Sequence, residues 1–126
     1  MARRMTVRGE EAEITVELDE GPVANELWGR LPMKSDARLR GDQIHFPVLI
    51  PQATEAPDRY EIDAGDVAYW PPENALCLFF GETHARTDKE SPVASVGRIV
   101  AGIEDCSLVR QNETLRIEAA EDEENR

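Results

Sequence analysis

Residues 67 to 82 read VAYWPPENALCLFFGE, two apolar runs on either side of Pro71-Pro72-Glu73-Asn74. Each run is too short for an ordinary helix, and each is bounded by turn residues. Proline fixes φ and cannot donate to a central ladder, so the two prolines shape a tight turn between two strands. Two short strands joined by a turn are therefore expected here.

The flanking sequence extends the pattern. In AEITVELD, Ile14, Val16 and Leu18 face one side while Thr15 and Glu17 face the other, which predicts a half-buried strand, and MTVRGE supplies a first strand to pair with it. The period then changes. In GPVANELWGRLP, Pro22 stands at a first helical position, Val23, Leu27 and Leu31 recur every four residues, and Pro32 closes the segment. Ala24 and Trp28 widen that stripe, so a short helix buries one face. ARLRGDQIHFPVLIP reads as a strand, a Gly41-Asp42 turn or bulge, and a second strand with Ile44, Phe46 and Val48 on one face and Gln43 and His45 offset from them. QATEAPDRYEIDAG and GETHARTDKESP lack periodicity and read as polar surface connections. SVGRIVAGI and TLRIEA are the last strands, with one turn of helix expected in EDCSLV. About eight short strands with one or two short helices predict a closed antiparallel β-barrel with a helix across one end. Residues 1–119 are expected to form a single domain and residues 120–126 an acidic, disordered tail.

A chain of 126 residues can bury a continuous core without metal or disulfide help. Its 14 basic against 26 acidic residues leave a formal charge of −12. That charge argues against a nucleic-acid partner, whose binding needs clustered Lys and Arg, and against anionic membrane surfaces. Lys34 and Lys89 are the only lysines, and with the acidic excess this composition suits a cytoplasm of high salt. Cys77 and Cys106 form no CxxC or CxxH spacing, so neither a zinc site nor a redox motif is indicated, and two buried thiols in a reducing compartment are expected. MARRMTVRGE has no apolar segment after its basic residues, so it is not a secretory signal, and no apolar run approaches membrane-spanning length. A cytoplasmic protein without metal or other cofactor is expected, its oligomeric state left open. No glycine-rich phosphate loop, HExxH motif or spaced Ser-His-Asp set is present, and DRYEIDAGD lacks calcium-loop spacing.

The order of these elements resembles the cyclophilins, and more closely a small bacterial and archaeal cyclophilin-like family. ITVELDEGPVANELWGRLP resembles the strand and helix that open a cyclophilin, GDVAYWPPENALCLFFGET the strand, variable loop and Phe-Phe strand that form one wall of its peptide groove, and SVGRIVAGIEDC the strand and short helix that follow. RGDQIHFPV belongs to the same signature. The resemblance runs from about residue 10 to about residue 118. It implies a peptidyl-prolyl cis-trans isomerase or a proline-peptide-binding chaperone.

Such an enzyme accelerates rotation about an X-Pro bond without covalent chemistry. The barrier of about 18–20 kcal/mol comes from amide resonance, so a site need only prefer the twisted bond. Each tenfold in rate needs about 1.4 kcal/mol of that preference, within reach of one guanidinium in a dry groove. The resemblance places this arginine at Arg38 or Arg40, since Gly41 follows RLR. The two share a strand face, so both line a groove or both are solvated beside acidic neighbours. Gln43, His45 and Phe46 stand where the cyclophilin motif has groove residues, although Gln43 and His45 also fit a plain polar strand surface. Phe80 corresponds to a second groove phenylalanine, and Phe79 to core. Tyr69 and Trp70 alternate across the sheet, so at most one faces a groove; Tyr69 is assigned there because its hydroxyl can meet water while its ring packs, and Val67 and Trp70 go to the core. His84 stands where a cyclophilin histidine swings over the groove, or is simply exposed. PPEN is shorter than the cyclophilin loop and Leu78-Phe79-Phe80 replaces Gln-Phe-Phe, so a shallower groove without an amide donor is expected.

Two readings follow. One is an isomerase or proline-peptide chaperone with Arg38 or Arg40 as its electrostatic residue and Phe46 and Phe80 as walls. The other is a non-catalytic module that binds a small ligand or a protein partner in the same concavity.

Overall fold

The computed structural model describes residues 3–40, 43–48, 61–70, 74–81, 85–86 and 94–120. β1 (Arg4–Arg8) and β2 (Glu13–Leu18) pair antiparallel from Arg4↔Glu17 to Arg8↔Glu13. The alternation in β2 turns Ile14, Val16 and Leu18 inward and leaves Thr15 and Glu17 half-buried on the outer side. Helix α1 (Pro22–Gly29) starts with proline at its first position, where a missing N–H costs nothing, and buries Val23, Ala24 and Leu27. Arg3 fastens the chain before β1 to this helix: its guanidinium donates to Asn25 Oδ1 at 2.5 Å and to the Asp19 carbonyl at 3.1 Å, and lies 5.6 Å from the centre of the Trp28 ring.

The chain continues through β3 (Met33–Asp36), β4 (Arg38–Arg40), β5 (Gln43–Pro47), β6 (Glu61–Ile62), β7 (Asp66–Trp70), β8 (Ala75–Phe79), β9 (Ala85–Arg86) and β10 (Ala94–Ala101). A 3-10 helix (Ile103–Leu108) and β11 (Thr114–Ala119) complete it. Among the described residues, nine strands form one antiparallel sheet in the order β3-β11-β1-β2-β10-β7-β8-β5-β4, and β6 pairs with β9 apart from it. The sheet curls until its two ends meet. Ser35 Oγ on β3 donates to the Pro47 carbonyl on β5 at 2.8 Å. At the crossing from β3 to β4, the Ala37 N–H donates to the Glu113 carbonyl at 2.7 Å, and its carbonyl accepts from Asn112 at 2.8 Å. The barrel encloses a core that includes Ile14, Val16, Phe46, Leu76, Leu115 and Ile117, all fully buried.

β10 holds the two halves of the barrel together by pairing with β2 on one side and β7 on the other, with a bulge in each ladder. Gly97 sits where β10 crosses β2 so closely that a Cβ would collide with the Glu17 carbonyl. Gly102, at φ +81°, lets the chain leave β10 for the 3-10 helix.

The mainly β barrel expected from the alternation is therefore present, with two corrections. MKSD forms β3, although its alternation places only Met33 and Ser35 against the molecule and neither is a strong apolar signal. The two aperiodic connections contribute β6 and β9, each of two residues, too short for any period to register. The Gly41-Asp42 turn, Pro71 to Glu73 and the tail from residue 121 lie outside the described residues; Asn74, which follows the prolines, has φ +49°.

Candidate functional site

Strands β4, β5, β8 and β7 lie side by side, and their registers fix which side chains share the outer face of the barrel. Arg38 lies opposite His45, His45 opposite Cys77, and Cys77 opposite Ala68. In the adjacent rows Gln43 lies opposite Phe79, and Pro47 opposite Ala75, which in turn lies opposite Trp70. These residues share one parity and therefore one face. The other parity brings Ile44, Leu78 and Val67 together inside the barrel, and likewise Phe46, Leu76 and Tyr69.

Both faces of this region are apolar. Ala68, Ala75, Cys77 and Phe79 form a second buried cluster on the outer face, with Trp70 packed against it. Its rim is polar: Arg38 is exposed, Gln43 and His45 are half-buried. Arg38 makes no ion pair or hydrogen bond with any described residue, and Trp70 Nε1 is buried without a hydrogen-bond partner among them. Leaving a buried indole N–H unpaired costs about 1–3 kcal/mol. Asp66, only 7% exposed, closes the end of β7: its carboxylate accepts from the Asp63 N–H at 2.9 Å, which holds the turn through Gly65 at φ +96°.

The expected site residues divide accordingly. Arg38, Gln43 and His45 come together on the outer face. Phe46 and Tyr69 do not join them: both are interior, at 0% and 1% exposure, and Phe80 packs against the same interior cluster. The Tyr69 hydroxyl lies 3.2 Å from Asn74 Oδ1, to which it donates within the turn. Val67 is interior as expected, but Trp70 and Phe79 belong to the outer cluster and not to the barrel interior. The physical reason is that β7 and β8 are buried on both faces, so hydrophobicity cannot indicate which parity points inward; period two does require Tyr69 to accompany Val67. Arg40 faces Gln43 across the β4–β5 ladder, while its side chain, like the whole of His84, lies outside the described residues. Trp70 and Cys77 on the outer face escaped sequence reasoning, although their parity with His45 would follow once the register was known.

Among the described residues no group of three or more His, Cys, Asp or Glu side chains is placed to hold a metal ion, and no helix is long and apolar enough to cross a membrane. The face instead offers an exposed donor, Arg38, with half-buried Gln43 and His45 beside an apolar cluster. Such a surface can hold an amide-bearing ligand without covalent chemistry.

Comparison with known proteins agrees with the barrel. The family described as Cyclophilin-like matches residues 3–118. The solution structure of the hypothetical protein AF2241 from Archaeoglobus fulgidus is similar to this chain at 36% identity, with a TM-score of 0.78, over 94% of this chain and 95% of that one. Among curated proteins none matches the sequence.

Proposed function

Because this chain belongs to the Cyclophilin-like family, we propose that it binds a proline-containing peptide or a small amide-bearing ligand on the outer face of β4, β5, β8 and β7. The observation that carries this reading is the exposed Arg38 guanidinium, without an ion pair among the described residues, beside half-buried Gln43 and His45 at the edge of an apolar cluster. The apolar cluster is already largely shielded from water, so burial adds little and the polar rim of Arg38, Gln43 and His45 provides the affinity.

The same face favours a second reading. A guanidinium at Arg38 could donate to a twisted X-Pro amide and so lower the isomerisation barrier. The interior position of Phe46 removes one expected wall, which favours binding over catalysis. Both readings are tested by titrating a panel of X-Pro peptides against Trp fluorescence and assaying their isomerisation, with wild type beside Arg38→Ala, Trp70→Phe and Trp28→Phe. Binding is expected to change the Trp70 signal, to persist in Trp28→Phe and to weaken about tenfold in Arg38→Ala, the loss of one charge-assisted hydrogen bond. Catalysis that Arg38→Ala abolishes would favour the isomerase. A folded protein that neither binds nor isomerises any peptide would remove the peptide as a ligand, and a Trp70 signal indifferent to every ligand would remove the site.

A further inference from the structure

A row of cations crosses the other half of the barrel. The ladders β1–β11 and β11–β3 place Arg8 opposite Arg116 and Arg116 opposite Lys34, so three cations stand side by side across three strands. Like charges directly opposite one another repel, with Cβ atoms about 4.5–5.5 Å apart. The arrangement is more pointed in a chain with 14 basic and 26 acidic residues, where each cation could readily find an acid. Arg8 does so, lying 3.6 Å from both Glu13 and Glu118. Lys34 and Arg116 do not: neither has an ion-pair partner among the described residues.

The acids nearest the cleft bond groups other than Lys34 and Arg116. Glu113 accepts backbone N–H groups from Glu10 at 2.5 Å and Arg110 at 2.9 Å. Asp36 accepts the Thr114 hydroxyl at 3.0 Å. The three cations, with Gly9, Glu10 and Thr114, line a cleft of about 330 Å³, the size of a small-ligand pocket. Gly9 leaves room for the Glu113 carboxylate, which its two backbone N–H donors hold against the turn.

We propose that this cleft binds a small tetrahedral oxyanion, inorganic phosphate or the phosphate of a monoester, between Lys34 and Arg116, the two cations of the row without an acidic partner among the described residues. A guanidinium presents paired donors that match a phosphate edge, and an ammonium adds a point charge beside it. Glu10 lines the cleft as its one acid and opposes the ligand.

The test is an NMR titration of the full ¹⁵N-labelled chain at low ionic strength with inorganic phosphate, glycerol phosphate and acetate. Saturable shifts are expected at the amides of Gly9, Glu10, Lys34 and Arg116 with both phosphates. Lys34→Gln and Arg116→Gln, both at exposed positions, should each weaken binding at least fivefold with the remaining spectrum unchanged, and Glu10→Gln should tighten it at least twofold. Glycerol phosphate binding tenfold tighter than inorganic phosphate identifies a phosphomonoester as the ligand; equal affinities identify the free anion. Acetate binding as well as phosphate, shifts absent from these amides, or affinities unmoved by the two glutamine variants would overturn the proposal.

Discussion

Cys106 sits in the 3-10 helix at 1% exposure, and burial pushes its thiol up to about 12, helped by the negative charges of Asp105 and Glu104. In the unfolded chain the same thiol ionises near its ordinary value of 9.0. Between these two values the unfolded state has lost the proton and the native state still holds it, so stability falls as pH rises through that window. Below the lower value the thiol is protonated in both states and contributes no slope. Urea midpoints should therefore decline more steeply from pH 8.5 to pH 11 in wild type than in Cys106→Ala, and parallel declines would show that the thiol ionises equally easily in both states. For the same reason Cys106 should resist alkylation in the native protein at pH 8, since the thiolate is the nucleophile. Cys77 and Cys106 are both buried and free, as expected from their spacing.

At the level of the strand, face assignment decides what a substitution does. Phe46 on β5 belongs to the interior, so Phe46→Ala should cost about 3–5 kcal/mol of stability, read from chemical denaturation. A cost under about 1 kcal/mol would place the ring on the ligand face instead. Sequence reasoning located β2, α1, β5, β7, β8, β10 and β11 because each carries a clear period or a proline boundary. It missed β3 because MKSD is an edge segment stabilised by backbone pairing to β11 and by the Ser35–Pro47 contact, neither of which leaves an apolar signature. It put Gln43 and His45 on one face, since β5 shows clean alternation, took Arg38 or Arg40 from the resemblance alone, and misassigned Tyr69 and Trp70, since β7 shows no alternation. The cation row of Lys34, Arg116 and Arg8 was illegible for a related reason: its members are far apart in sequence, and only the β11 register joins them.

Over the whole molecule, two electrostatic effects compete. The surface ion pairs between Arg4 and Glu17, Arg30 and Glu26, and Arg110 and Glu11 span 3.3–3.6 Å between exposed or half-exposed groups. Each is worth about 0–1 kcal/mol and weakens as salt is added. Against them stands the self-repulsion of a net −12 charge, which salt also weakens. Repulsion among so many uncompensated carboxylates should dominate, so Tm should rise between 10 mM and 1 M sodium chloride; a flat or falling Tm would mean that the ion pairs outweigh it and would remove the case for a high-salt habitat. The barrel also brings β1 beside β11, with Met5 opposite Ala119 and the Ala120 N–H donating to the Arg4 carbonyl at 2.8 Å. The first and last strands are thus neighbours in one ladder, and a short flexible linker could join them without disturbing any strand. The polypeptide could then be opened at another exposed turn, such as Glu10–Glu11, giving a circular permutant with the same ladders in a different chain order.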